Sequence, residues 1–320
     1  MRSVLVQLSL ALLGMFLAYL AWIDGRDPAS IRGEVVILEC APEQLRSILL
    51  RGEGSTVRVQ LEDDAEPWIT LSESAAEGGV GARREARFLG GPGVAAYFAD
   101  VAPLRALRAL GSIDPDGLEE LGLEHPRQRL TIECDAKEHT FEIGEAAYGS
   151  GSRYVRAAGD PEIYLLASGL IRRLEAAEHG LMQRQLHRFE ASQIASLTLE
   201  AGNRSRELLH RNRQDPADAR WVDAERPDRV ETPLDQWVNQ VHRLQAQAYL
   251  PAGPPPPGER LLSIRYEDAQ GEAIGELELR RVEGVQGLAY VARTEITEVW
   301  VQLPASLVRE IEAGLPSVLP

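Results

Sequence analysis

The chain has 320 residues, 34 Lys+Arg against 49 Asp+Glu, a formal net charge of −15 and 44% hydrophobic residues. That composition belongs to a globular chain long enough for two cores, which excludes both disorder and a tiny disulfide-held scaffold. The acidic excess argues against nucleic acid as a partner, because that binding relies on cations neutralising phosphates.

The first element in chain order is Val4 to Ile23, twenty residues without a charge. At a rise of about 1.5 Å per residue they reach about 30 Å, the thickness of a bilayer core. The competing reading is a cleaved signal peptide, whose apolar stretch is shorter and ends in a small-x-small site. Tyr19 at the −3 position spoils cleavage after Ala21. A retained anchor is therefore expected, with Val4, Phe16, Tyr19, Trp22 and Ile23 in contact with the membrane and Trp22 at its interface. Arg2 and the α-amino group precede the span, and Asp24, Arg26 and Asp27 follow it. That balance places the N-terminus inside. The body is then expected on the outer side of a bacterial cytoplasmic membrane, in the periplasm, as a single-pass protein.

Cys40 and Cys134 could form one disulfide in an oxidising compartment, but each lies near the end of a predicted strand, where small buried thiols are common. Free thiols are the expectation.

The body reads as a repeat. Tyr154-Val155 matches Tyr290-Val291, and Glu162-Ile163-Tyr164-Leu165 matches Glu298-Val299-Trp300-Val301 without a gap. After one inserted residue, Leu170 to Ala176 falls on Leu307 to Ala313. Upstream, Leu45 to Leu50 matches Ile194 to Leu199, and each copy continues to a lone tryptophan, Trp68 or Trp221, expected as buried equivalents. Helices are predicted over Val101 to Leu110, capped by Asp100, and from Thr232-Pro233 through Leu244. Strand pairs follow at Arg129 to Cys134 with Thr140 to Ile143, and at Leu261 to Tyr266 with Ala273 to Leu279. Leu181, Leu186 and Phe189 are expected in a helical link, and Pro254 to Pro257 in a stiff spacer. Sequential hairpins imply an α+β fold: an N-terminal transmembrane helix, then two tandem homologous modules of mainly antiparallel sheet with helices on one face. The expected division is anchor and linker 1–33, first module 34–177, link 178–189 and second module 190–320.

The run Leu121-Gly122-Leu123-Glu124-His125-Pro126, then Phe141-Glu142-Ile143-Gly144, Tyr154-Val155-Arg156 and Ile163-Tyr164-Leu165, resembles domain-of-unknown-function family 4340 over about residues 40–250. The resemblance implies a membrane-anchored protein that accompanies ABC transporters with gliding-motility-type auxiliary subunits. It implies no catalytic residue.

Motifs that suggest chemistry each have a plainer reading. Gly78 to Gly93 lacks the lysine and hydroxyl of a phosphate loop and reads as a flexible surface loop. Tyr148 to Ser152 reads as a hairpin turn, and Asp114-Pro115-Asp116-Gly117 as a turn rather than a calcium loop. His125, His139, His179, His187, His210 and His242 are scattered without paired helical spacing, so no metal site is expected. Asp63-Asp64 and Glu133/Asp135 read as solvated acids. No catalytic, cofactor or metal residue is assigned. The expected role is a non-catalytic accessory or scaffold subunit of an ABC-transporter-type complex, partnered by permease or auxiliary subunits and by the bilayer. The alternative is a periplasmic hydrolase of a cell-envelope substrate, which would be signalled by one pocket gathering His139, Glu142, Tyr154 and Arg156.

Overall fold

A computed structural model describes residues 34–62, 66–73, 84–284 and 287–319. The expected anchor, with Val4, Phe16, Tyr19, Trp22 and Ile23, lies outside the described residues, as do Asp63-Asp64. No helix among the described residues is long and apolar enough to cross a membrane.

The first half runs β1 (Val35–Leu38), β2 (Leu45–Arg51), β3 (Ser55–Leu61), β4 (Pro67–Glu73), β5 (Arg84–Leu89), α1 (Gly93–Val101), β6 (Leu104–Ala106), β7 (Arg108–Ser112), α2 (Pro115–Glu120), β8 (Gln128–Cys134), β9 (Lys137–Ala146), β10 (Arg153–Ala157), β11 (Glu162–Leu166), α3 (Ser168–Glu175) and α4 (Ala177–Gly180). The second half runs β12 (Ser196–Ala201), β13 (Arg204–Arg211), β14 (Arg220–Asp223), α5 (Thr232–His242), β15 (Ala248–Tyr249), β16 (Gly258–Glu267), β17 (Ala273–Gly284), β18 (Gly287–Thr294), β19 (Val301–Gln302) and α6 (Ala305–Val318). This is the expected α+β architecture, with mainly antiparallel sheets. Of the two large sheets one has the order β5-β4-β3-β2-β8-β9-β10-β11-β7 and the other β14-β13-β12-β16-β17-β18-β19-β15, while β1 and β6 form a separate two-stranded sheet. Apart from the extra edge strand β5, the second order repeats the first position by position.

The equivalence extends to single residues. Ile48 pairs with Val59 and Ile132 as Leu197 pairs with Leu208 and Tyr266. The Ser47 hydroxyl donates to Glu133 as Ser196 does to Glu267. The Tyr97 hydroxyl of α1 donates to the Leu170 carbonyl on α3, and Trp237 Nε1 of α5 to Ile311 on α6. Inward-facing residues of both sheets and their helices merge into one continuous core.

The same pairings correct the sequence alignment by one residue. Val155 lies between Ile143 and Tyr164, and Ala292 lies between Leu279 and Val301. Tyr164 therefore corresponds to Val301 rather than Trp300. The extra residue belongs to the irregularity between Arg153 and Val155, not after Leu165. Trp68 and Trp221 are both buried, but they are not equivalents. Trp221 pairs with His210 and enters the main core, whereas Trp68 pairs with Gln60 and joins Leu89 and Ile296 in a separate cluster. A slip of one residue along a strand changes the face, so the tryptophans lie on opposite sides of their sheets.

Other expectations also change. Helix α1 ends at Val101, where the expected helix began. Pro103 has no N–H and holds Ala102 in an extended conformation, so Leu104 and Ala106 become the buried positions of a strand paired with β1. The core-facing spacing is instead Val94, Tyr97, Phe98 and Val101. Asp114-Pro115 starts α2, with the Asp114 carboxylate accepting the Gly117 N–H at 2.9 Å. The link after α4 is extended, not helical: Gly91 donates to the Leu181 carbonyl, Gln183 to Leu89, and Ala246 to Arg184. It thereby joins the β5 edge to the second half. Gly90 and Gly91, expected in a flexible loop, form part of this seam, and a Cβ on Gly91 would meet the Met182 carbonyl oxygen at 2.5 Å. Finally, Cys40 and Cys134 are bonded, with Cα atoms 6.1 Å apart. Sequence alone could not place the chain before β2 beside the end of β8.

Candidate functional site

The residues carrying the family resemblance meet in the first half. Leu121 accepts the Glu145 N–H at 2.8 Å, and a Cβ on Gly144 would run into that same Leu121 carbonyl. Gly122 turns the chain with φ of 67°, a conformation that favours glycine. Leu123 is fully buried, and its carbonyl accepts from Arg156 at 3.1 Å. The same guanidinium pairs with Glu142 at 2.6 Å. These contacts make the motif a clasp that holds the turn after α2 against β9 and β10. Alternation along β9 sends His139 to the face opposite Glu142, and none of the five principal cavities among the described residues gathers His139, Glu142, Tyr154 and Arg156. The cleft beside the clasp, about 470 Å³, is lined by charged groups of both signs, including Glu119, Glu145 and Arg153.

A second cluster escaped the sequence reading because its members lie far apart in the chain. The extended link delivers His187 and Phe189, α5 ends on His242, β16 contributes Tyr266, and Glu295 follows β18. The Glu295 carboxylate lies 3.0 and 3.1 Å from His187 Nδ1. An ionised carboxylate only accepts, so Nδ1 carries a proton. His187 Nε2 and His242 Nδ1 are both buried without a partner. The His187 ring lies 4.7 Å from Phe189, 4.9 Å edge-on from Tyr266, and 5.9 Å from the nearly parallel His242 ring. Burial, followed by repulsion from His187, His210 and Arg243, pushes His242 down to about 4, so it is neutral near pH 7. Burial also raises the Tyr266 hydroxyl above its ordinary range. Gly275 makes room, since a Cβ there would strike both Phe189 and the Glu295 carboxylate.

A pocket of about 340 Å³ opens at this cluster, lined by Gln185, His187, Phe189, Glu190, His242 and Gln245 among others. An imidazole oriented by a carboxylate can accept a hydrogen bond or exchange a proton. Among the described residues, neither imidazole is hydrogen-bonded to a serine, threonine or cysteine side chain, and no group of three His, Cys, Asp or Glu is arranged to hold a metal ion. His210 serves the core instead: its ring stacks on Trp221 at 4.2 Å and its Nδ1 faces the Ala191 and Ile194 carbonyls.

No curated protein and no solved structure matches the chain. Residues 94–261, from α1 into β16, match a family model described as a domain of unknown function. The match starts later than the resemblance across residues 40–250 implied, and it covers parts of both sheets together with His187, Phe189 and His242. The chain therefore belongs to the domain-of-unknown-function family DUF4340.

Proposed function

We propose that this chain is a non-catalytic accessory or scaffold subunit, anchored in a bacterial cytoplasmic membrane by Val4 to Ile23, with its body in the periplasm and docked on an ABC-transporter-type complex. The observation that carries this reading is the Cys40–Cys134 disulfide, since such bonds persist in oxidising compartments outside the cytoplasm. An apolar segment of bilayer length ahead of a disulfide-bonded body is the arrangement of a tethered external domain. Tethering also raises the effective concentration of body and membrane partner, so a weak polar interface can be occupied. The proposed units are 34–177 and 190–320 joined by 178–189, two copies of one module.

The test is gentle solubilisation and purification through a C-terminal tag, comparing the full chain with one lacking Met1 to Ile23. Retention of permease or auxiliary subunits by the full chain supports the reading. Recovery of no membrane subunit after crosslinking rejects it. The alternative, a periplasmic hydrolase of a cell-envelope substrate, draws on the carboxylate-oriented His187, which has the form of a general base. Turnover of an envelope polymer by the purified chain, abolished in His187→Gln, would establish that alternative.

A further inference from the structure

The two halves of the molecule act as an internal control on the imidazole cluster. Gln185 bridges Gln245 as Val36 pairs with Arg105, which sets His187 in the position of Leu38 and Phe189 in that of Cys40. His242 closes α5 where Ala102 follows α1, Tyr266 stands for Ile132, and Glu295 for Ala158. In the first half Leu38, Cys40, Ala102 and Ile132 belong to the closed apolar core. The fold thus completes this corner with aliphatic groups and a disulfide. In the second half the same corner contains two imidazoles with partnerless buried nitrogens, a carboxylate and a pocket. A buried polar group without a partner is destabilising, because it has given up its hydrogen bonds to water. Packing gives no reason to bear that twice where the sister half shows an apolar solution.

We infer that this pocket is a binding site for one neutral hydroxylated ring, such as a single sugar unit. Each wall narrows the choice. Nε2 of His187 lacks a partner, so the ligand must bring a group that can meet it as donor or acceptor. The lining carries one acid, Glu190, and one arginine, Arg243, so it favours neither an anion nor a cation. A hydroxyl donates or accepts without charge, so it satisfies His187 and either tautomer of neutral His242. The side-chain amides of Gln185 and Gln245 offer further donors and acceptors at the rim, and the Phe189 ring offers a face for ring C–H groups. The volume of about 340 Å³ lies at the small end of the range for small-molecule pockets, which suits one ring rather than a chain of them. The site lies wholly within the described body, so its occupancy is separable from docking through the membrane anchor.

The experiment uses the full-length chain in detergent with ¹⁵N-labelled histidine, titrated with methyl glucoside, with N-acetylglucosamine, and with phenol as a flat ring bearing one hydroxyl. The expected result is a saturable shift of the His187 and His242 imidazole nitrogens with at least one of the two sugars, larger than with phenol. The shift should vanish in His187→Leu/His242→Ala/Glu295→Ala, which copies Leu38, Ala102 and Ala158 and should remain folded. A second variant, Phe189→Leu, keeps both imidazoles and should weaken the sugar at least tenfold. Unmoved nitrogens with both sugars at 50 mM, about a thousand times a typical labelled-protein concentration, would overturn the inference. So would a shift with phenol alone, which would assign a flat aromatic ligand.

Discussion

His242 should make the protein acid-sensitive over a range in which carboxylates contribute little. Its folded-state value lies near 4, against 6.5 for an ordinary histidine, chiefly because burial disfavours the cation. The unfolded chain therefore binds this proton first as pH falls, and stability declines from about pH 6.5 down to about pH 4. Integrating that difference gives a loss of about 2 kcal/mol between pH 7 and pH 5. His210, also lowered by burial, contributes in the same direction. Glu62 and Asp223, both lowered, lose their contributions as pH falls through the carboxylate range. Urea unfolding of the disulfide-bonded full chain at pH 7 and pH 5, compared with His242→Ala, isolates the one group. Ala102 shows that alanine suits the equivalent position. The wild type should lose about 2 kcal/mol more than the variant over this interval. Equal losses in both proteins would mean that His242 titrates normally and that its burial does not hold in solution.

Trp221→Ala should cost about 3–5 kcal/mol, as large-to-small core changes do, and a urea loss below about 1 kcal/mol would place the ring at the surface. Replacing both Cys40 and Cys134 by serine should cost about 2–4 kcal/mol, since the bond spans a separation of 94 residues; no change in the urea midpoint under reducing and oxidising conditions would contradict it. Gly144→Ala should destabilise by at least about 1 kcal/mol because its Cβ meets backbone, and a stability equal to the wild type would show that the clasp yields.

The strands were legible wherever alternation and turn residues agreed, as in Arg129 to Ile143, where Asp135 and Ala136 adopt positive φ in the turn between β8 and β9. Strand faces were less legible than strand existence. Matching Trp68 to Trp221, and Tyr164 to Trp300, followed residue type, while hydrogen-bond register obeys the core. Nothing local in the sequence signals the irregularity at Arg153 that absorbs the extra residue. The helix expected at Val101 failed because Leu104, Leu107 and Leu110 fit a three-residue period, while Pro103 had already broken the helix. The imidazole cluster stayed hidden because its parts come from four separate stretches of chain. One signal was present: at the positions of Leu38 and Ala102, the second copy carries His187 and His242. Reading it required the upstream register, which the alignment of the later strands does not supply.

The central claim, a disulfide-bonded body held outside the membrane, is tested most directly by reporter fusion. A reporter enzyme active only in the cytoplasm, fused after Pro320 of the full chain, should be silent, while one active only in the periplasm should be active. Cytoplasmic activity with a silent periplasmic reporter would contradict the account.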